Sequence, residues 1–271
     1  MVRASSPLGE IRGIFYAFLT VLAGVLITIF GFATYPIVKL IDPWLFFYHL
    51  ITTFFARVII RIFGVSPIVK GRENIVRDRG FIIVSNHQSD LDSNLISFAM
   101  HDVNFKPVFK KELCYFPGIG STMYISGYIY VDREDKRKEG RSAMYDRCKE
   151  YLKNKVSVLF FPEGTRKISL TEVGNMGEFK FGAFKLAIES GAPLQPLSVS
   201  GARSLMSAFG KVPTLNFPDV GSPTVTIHPA IYPQPGDTVE SLAARARKSI
   251  SSALRECDDV APTLATLRKE S

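Results

Sequence analysis

The chain has 271 residues, which is enough for one sizeable α/β domain with an appendage but too few for two full domains. Its formal net charge of +8 suits an anionic partner, and composition alone leaves nucleic acid, an acidic membrane surface and a phosphorylated substrate open. The three cysteines are odd in number and widely spaced, which argues against both a disulfide framework and a cysteine metal site.

The first predicted element is an apolar helix over Gly13–Val38, a stretch without a charged residue. At about 1.5 Å per residue, a helix of this length can cross a hydrocarbon layer of about 30 Å. Cations flank it on both sides, with Arg12 before it and Lys39 after it, so the flanking charges give little indication of its orientation. A cleaved signal peptide is the alternative, but the apolar stretch is longer than such peptides require and no A-x-A site follows it.

A second apolar run, Pro43–Ala56, is too short to predict a membrane span. It is typical of an interfacial or half-inserted helix, with Trp44 and Tyr48 at the depth of the lipid headgroups. Residues 1–66 are therefore predicted to form a membrane-embedded helical pair. Full crossing and a dip into one leaflet both remain open.

From Val65 onward, short β-rich runs alternate with longer segments of helical pattern. The predicted strands are Ile68–Lys70, Phe81–Ser85, Phe105–Phe109, Tyr128–Val131, Val156–Phe161, Leu194–Ser200 and Thr224–His228. The predicted helices are Leu91–Met100, Arg137–Lys153, Phe179–Ser190 and Thr238–Cys257. This alternation predicts an α/β domain over residues 67–260, with a largely parallel mixed sheet flanked by helices, and a C-terminal tail over residues 261–271.

The first motif with chemical potential is Ser85–Asp92, SNHQSDLD, which follows an apolar strand and opens a helix. His87 and Asp92 are five residues apart, which on a regular helix would point their side chains roughly 140° from each other. They meet only if His87 lies in the loop and Asp92 in the first helical turn, where a carboxylate is favoured. Asp92 would then hold one imidazole nitrogen and leave the other free as a general base, an arrangement like a serine-protease triad without its serine.

The second motif, Phe160–Arg166, reads FFPEGTR and ends another apolar strand. Its glycine turn is expected to expose backbone N–H groups, and Arg166 offers a planar cation for phosphate or carboxylate.

Two further motifs follow the same pattern of strand and loop. Gly127–Arg133, GYIYVDR, ends in a cation able to hold an anion, and Ala192–Leu197, APLQPL, has no catalytic group and is expected to shape a pocket or turn. Taken in this order, the four motifs resemble the four signature blocks of the glycerolipid acyltransferases, the family of 1-acylglycerol-3-phosphate acyltransferases. The resemblance extends over about Val69–Ser200 and includes Lys110–Leu113 and Phe179–Phe184.

The resemblance implies an enzyme that moves a fatty acyl chain from a thioester to the sn-2 hydroxyl of lysophosphatidic acid, giving phosphatidic acid. It implies His87 as the catalytic base and Asp92 as its partner, with no metal and no cofactor. The residues that it implies for substrate binding are Asn86, Lys110, Arg133, Glu163, Gly164, Thr165 and Arg166. Lys167 and the eleven-residue loop 168–178 depart from the family pattern, and they follow directly on the motif implied to bind the acceptor.

The expected partners are a lysophospholipid acceptor, membrane lipid and either acyl-CoA or acyl carrier protein as the donor, without nucleic acid. The expected location is a bacterial inner membrane or an internal eukaryotic membrane, with the active site facing the cytoplasm. Alternatives are the same chemistry on glycerol-3-phosphate or another lysophospholipid, and a non-catalytic protein that binds acidic lipids. A hydrolase is disfavoured because the sequence contains no G-x-S-x-G motif, and an acyl-enzyme on Cys114 because no histidine is paired with it in the sequence.

Overall fold

The computed structural model describes residues 7–116, 118–131, 138–164, 176–207, 214–215 and 222–254. Its first two elements are α1, Pro7–Ile41, and α2, Phe46–Ile62, as the apolar pattern predicts. Helix α1 extends beyond the predicted Gly13–Val38 by six residues at its start and three at its end. Its residues Leu8–Ile41 form a helix long and apolar enough to cross a membrane.

Helix α1 packs against the rest of the chain through small residues. A Cβ placed on Gly24 would lie 2.6 Å from the carbonyl oxygen of Gly118, so the two backbones approach closely. Beside this contact, the hydroxyl groups of Thr28 and Ser121 lie 2.7 Å apart in a hydrogen bond. The helical pair is therefore joined to the α/β domain by side-chain and backbone contacts.

The main sheet has seven strands in the order β1-β9-β6-β2-β5-β3-β4. Its strands are β1 Ile68–Lys70, β2 Ile82–Ser85, β3 Phe105–Lys110, β4 Ile129–Val131, β5 Ser157–Phe160, β6 Leu194–Ser200 and β9 Thr224–Ile227. All neighbouring pairs in this sheet are parallel except β6 and β9, which are antiparallel. A separate two-stranded ladder pairs β7, Met206–Ser207, with β8, Thr214–Leu215. The predicted largely parallel mixed sheet is confirmed.

The remaining helices cover both faces of the sheet, which a parallel sheet requires because both of its faces are apolar. They are α3 Asp92–Ala99, α4 Ile119–Ile125, α5 Lys138–Lys153, α6 Gly182–Ser190, α7 Ala202–Leu205 and α8 Val239–Ser251. On β2, Ile83 points into the cluster that includes α2 and α3, whereas Ile82 and Val84 point into the cluster of α5, α6 and α8.

The predicted boundaries hold to within a residue for the strands of the main sheet, but several helices differ, and α8 ends at Ser251 and not at the predicted Cys257. Helix α6 begins at Gly182 and not at Phe179, because the Lys180 N–H donates to the carbonyl oxygen of Pro162 and keeps this part of the chain extended. Helix α4 has no counterpart in the prediction, since its Gly120, Ser121 and Thr122 give no helical pattern. The tail predicted for residues 261–271 lies outside the described residues.

Candidate active site

The candidate site lies where three neighbouring strands end. Val84 of β2 pairs with Phe160 of β5, and Ser85 of β2 pairs with Leu197 of β6. Because these strands are parallel, the loops that follow their carboxyl ends meet at one edge of the sheet. Two of the predicted motifs, the loop after β2 and the turn after β5, are therefore neighbours.

His87 and Asp92 are in direct contact, with His87 in the loop and Asp92 as the first residue of α3. The Nδ1 atom of His87 lies 2.8 Å from Oδ2 of Asp92, whose side chain is fully buried, while that of His87 is 21% exposed. The same Oδ2 accepts the backbone N–H groups of Gln88 at 2.6 Å and Ser89 at 2.8 Å. Because an ionised carboxylate only accepts, Nδ1 carries the proton and Nε2 is left as the basic nitrogen.

The imidazole plane is held by an aromatic ring from the neighbouring turn. The ring of Phe161 stacks on that of His87, with centroids 4.2 Å apart and planes 22° apart. With Asp92 on one ring nitrogen and Phe161 on one face, the orientation of His87 is fixed by two independent contacts.

Glu163, predicted to shape the acceptor site, also contacts the loop of His87. Its Oε1 accepts the backbone N–H of His87 at 2.9 Å, and its Oε2 accepts the backbone N–H of Gly177 at 2.8 Å. Burial raises the pKa of the Glu163 carboxyl, and these two N–H donors oppose that rise. The carboxylate therefore joins the turn after β5 to the loop of the base.

Gly164 forms the turn that follows Glu163. Its φ of +72° lies in the left-handed region, and an added Cβ would lie 2.8 Å from Nζ of Lys180. The end of the Lys180 side chain therefore lies over this turn, and the residue is exposed. Sequence reasoning did not assign Lys180 to the site, although Phe179–Phe184 stood out as similar to the family.

Asn86 is fully buried immediately before His87. Its Nδ2 donates to the carbonyl oxygen of Val199, and its Oδ1 accepts the N–H of Val199, both at 2.8 Å. These two bonds tie the loop to β6, and a direct contact of Asn86 with substrate stays a prediction.

The other predicted binding residues are cations and a hydroxyl around this edge. Lys110 is exposed at the end of β3, where it pairs with Val131 at the end of β4. Arg133, Thr165 and Arg166 lie outside the described residues. Among the residues that the structure does describe, no group of three or more His, Cys, Asp and Glu side chains is placed to hold a metal ion.

A family model described as Acyltransferase matches residues 66–200. The 1-acyl-sn-glycerol-3-phosphate acyltransferase BAT2, chloroplastic, of Brassica napus is 32% identical over 248 residues, which cover 90% of this chain and 67% of that protein. The corresponding LPAT1 of Arabidopsis thaliana is also 32% identical, over 90% of this chain and 65% of that protein.

A solved structure shares the fold. The PlsC acyltransferase of Thermotoga maritima superposes with a TM-score of 0.73 at 23% identity, over 90% of this chain and 93% of that chain. The chain belongs to the acyltransferase family whose matched curated relatives are 1-acyl-sn-glycerol-3-phosphate acyltransferases. This confirms the family that the four sequence motifs indicate. The chain spans about two thirds of the length of the two chloroplast relatives.

Proposed function

We propose that this protein transfers a fatty acyl chain from a thioester donor to the sn-2 hydroxyl of lysophosphatidic acid and so forms phosphatidic acid. The observation that carries the proposal is the His87–Asp92 pair at the sheet edge, with Nδ1 bound at 2.8 Å and Nε2 left basic. The names of the curated relatives, 1-acyl-sn-glycerol-3-phosphate acyltransferases, supply the acceptor.

In the proposed reaction, Nε2 of His87 removes the proton from the acceptor hydroxyl as its oxygen attacks the thioester carbonyl. The resulting tetrahedral intermediate collapses, the carbon–sulfur bond breaks, and the carrier thiolate takes the proton from His87. General-base catalysis of this kind contributes on the order of 10²–10⁴-fold. Holding two substrates in one orientation contributes more, because it removes a bimolecular entropy cost.

Asp92 keeps the base in the required tautomer. Its buried Oδ2 also accepts two backbone N–H groups, so the position of the carboxylate does not depend on His87 alone. When the imidazole gains a proton during the reaction, the nearby negative charge stabilises the imidazolium.

The phosphate of the acceptor is expected to bind to the cations at this edge. Lys110 at the end of β3 and Lys180 over the Gly164 turn are exposed cations in the described residues. Arg133 and Arg166 are proposed to complete the site, since their planar guanidinium groups suit phosphate oxygens.

A membrane location follows from the substrates and from the surface of α1. Large apolar side chains such as Ile29, Phe32 and Ile37 are more than 60% exposed along this helix. An exposed apolar face of this size is stabilised by burial in lipid. We propose that the site lies at a membrane surface and faces the cytoplasm, where acyl-CoA or acyl carrier protein supplies the donor.

The experiment that tests this function is transfer of labelled oleate to lysophosphatidic acid in detergent micelles. Oleoyl-CoA and oleoyl-acyl carrier protein serve as alternative donors, and glycerol-3-phosphate and a lysophospholipid without a free phosphate serve as alternative acceptors. We expect phosphatidic acid from the wild type and roughly 10³-fold less from His87→Ala. Equal rates for the two proteins would contradict the mechanism, and preference for another acceptor would replace the proposed substrate.

A further inference from the structure

Hydrogen bonds join residues 176–180 to Glu163, beside the loop of His87, and to α8, the last helix of the fold. We propose that Arg247, on α8, is a positioning residue for the base, acting on His87 through Gly177 and Glu163. The inference rests on the proposed role of His87 as the base. Arg247 lies beyond residues 66–200, which the family model matches, so the sequence motifs give no reason to single it out.

Arg247 binds two successive backbone carbonyls. Its Nη1 donates to the carbonyl oxygen of Gly177 and its Nη2 to that of Met176, both at 2.6 Å. Its guanidinium carbon also lies 5.3 Å from the centroid of the Phe179 ring. A planar guanidinium holds two acceptors and stacks on an aromatic face at once, which an ammonium group does not. The three contacts fix this segment against α8.

Gly177 transmits this constraint to the catalytic loop. Its N–H donates to Oε2 of Glu163 at 2.8 Å, and Oε1 of Glu163 accepts the N–H of His87 at 2.9 Å. Three successive hydrogen bonds therefore join the guanidinium of Arg247 to the backbone of the base. Because Glu163 is largely buried, removing either N–H would leave a charged oxygen without a partner, which is costly.

Helix α8 and residues 176–180 are held in the fold in different ways. Helix α8 is anchored in the core by Leu242, Ala246 and Ile250. Residues 176–180 form neither helix nor strand, so their polar backbone groups need partners from elsewhere in the fold. Arg247 supplies such a partner from a packed helix, and thereby fixes the position of the Gly177 N–H.

Loss of the hydrogen bonds from Arg247 to residues 176–177 is expected to change the charge state of Glu163. Burial raises the pKa of its carboxyl, and the N–H groups of His87 and Gly177 oppose that rise. Without the Gly177 N–H, the pKa rises further and Glu163 takes up a proton at higher pH. A protonated carboxyl accepts less strongly from the His87 N–H, so the loop that carries the base is held less firmly.

The test compares Arg247→Met with Arg247→Lys and with Arg245→Met as the matched control. Arg245 lies on the same helix but pairs with Asp237 at 2.9 Å, so its loss removes the same charge without touching residues 176–180. We expect Arg247→Met to lower kcat roughly 10- to 100-fold with KM changed less than about twofold, since the base is displaced but the substrate contacts remain. Arg247→Lys should recover part of the loss, and Arg245→Met should match the wild type.

Amide hydrogen exchange of the full-length protein in detergent gives a readout that needs no substrate. The His87 and Gly177 amides should exchange about tenfold faster in Arg247→Met than in Arg245→Met, because both donate to Glu163. If Arg247→Met does not fold, the same comparison with Arg247→Lys decides. Unchanged exchange at His87 in a folded Arg247 variant would overturn the proposal.

A double-mutant cycle with Glu163→Gln identifies the route. If Arg247 acts through Glu163, the effects of the two substitutions on kcat are not additive. Fully additive effects would overturn the route through Glu163. Faster exchange at His87 in a protein that forms no phosphatidic acid would support the positioning path while contradicting the proposed function.

Discussion

The two loops that meet at the candidate site are held in different ways. In the loop after β2, Oδ2 of Asp92 binds Nδ1 of His87 and the N–H groups of Gln88 and Ser89, all within five residues along the chain. In the turn after β5, the partners of Glu163 are 76 and 14 residues away. The pair that would do the chemistry is thus built locally, whereas its alignment with the rest of the site depends on the fold.

Of the two loops, the one after β2 predicts the largest effect, which is the loss of kcat in Asp92→Asn. An amide in this position presents a donor to Nδ1 of His87 and favours the wrong tautomer, so kcat should fall about 10³-fold with little change in KM. Rates of phosphatidic acid formation measured against Asp78→Asn, an exposed carboxylate bound to Arg79, check this. An equal loss of kcat in Asp78→Asn would show that the change in net charge is the cause, and would contradict the distinction between the two loops.

Glu163→Gln tests the contacts of the turn after β5 with distant segments of the chain. One amide group cannot accept both the His87 and Gly177 N–H bonds as a carboxylate does, so we expect kcat to fall roughly 10- to 100-fold. The effect should be smaller than that of Asp92→Asn, because Glu163 acts on the backbone of His87 and not on its ring. Glu150→Gln, an exposed surface change, is the control, and a larger loss than for Asp92→Asn would reverse the comparison.

A second long-range contact, between Lys106 of β3 and the turn joining α1 to α2, predicts a pH effect on stability. Burial lowers the pKa of Lys106 to about 7, and its Nζ donates to the carbonyl oxygen of Leu45 at 3.2 Å. The folded state therefore binds fewer protons than the unfolded state above about pH 7, and stability should rise with pH from there towards 10.5.

Lys106→Met removes this buried amine and should abolish that rise. At each pH, the melting temperature of the wild type is subtracted from that of Lys106→Met. This difference should be roughly 5 °C more positive at pH 6 than at pH 9. Thermal unfolding in detergent at the two values measures the difference. An equal change at both would show that the amine does not titrate in this range.

The smallest predicted effect concerns Lys180, whose ammonium lies over the Gly164 turn. Because this cation is exposed, its contact with phosphate is screened, and Lys180→Met should raise the KM for lysophosphatidic acid only about three- to tenfold. Lys185→Met removes a neighbouring exposed cation that pairs with Glu189 at 3.6 Å and should leave KM unchanged. Equal effects of the two would indicate a general attraction between a basic surface and anionic micelles.

The sequence by itself determined the features that depend on short-range patterns. The bounds of β1 and β6 are as predicted, because each segment lies between a proline and a glycine, Pro67 and Gly71 for β1 and Pro193 and Gly201 for β6. The five-residue spacing of His87 and Asp92 predicts a loop followed by a helix start, and α3 begins at Asp92. The four motifs also identified the family, although the proposed roles of the individual residues stay predictions.

Only the tertiary structure decided the contacts between distant segments. Nothing in the order of residues indicates that Glu163 accepts the His87 N–H, or that Arg247 binds the carbonyls of Met176 and Gly177. The parallel strand order places the loops after β2 and β5 side by side, and the packing of α8 fixes the position of the Arg247 side chain. Periodicity and spacing report on neighbours along one element, whereas hydrogen bonds between loops depend on how the elements pack.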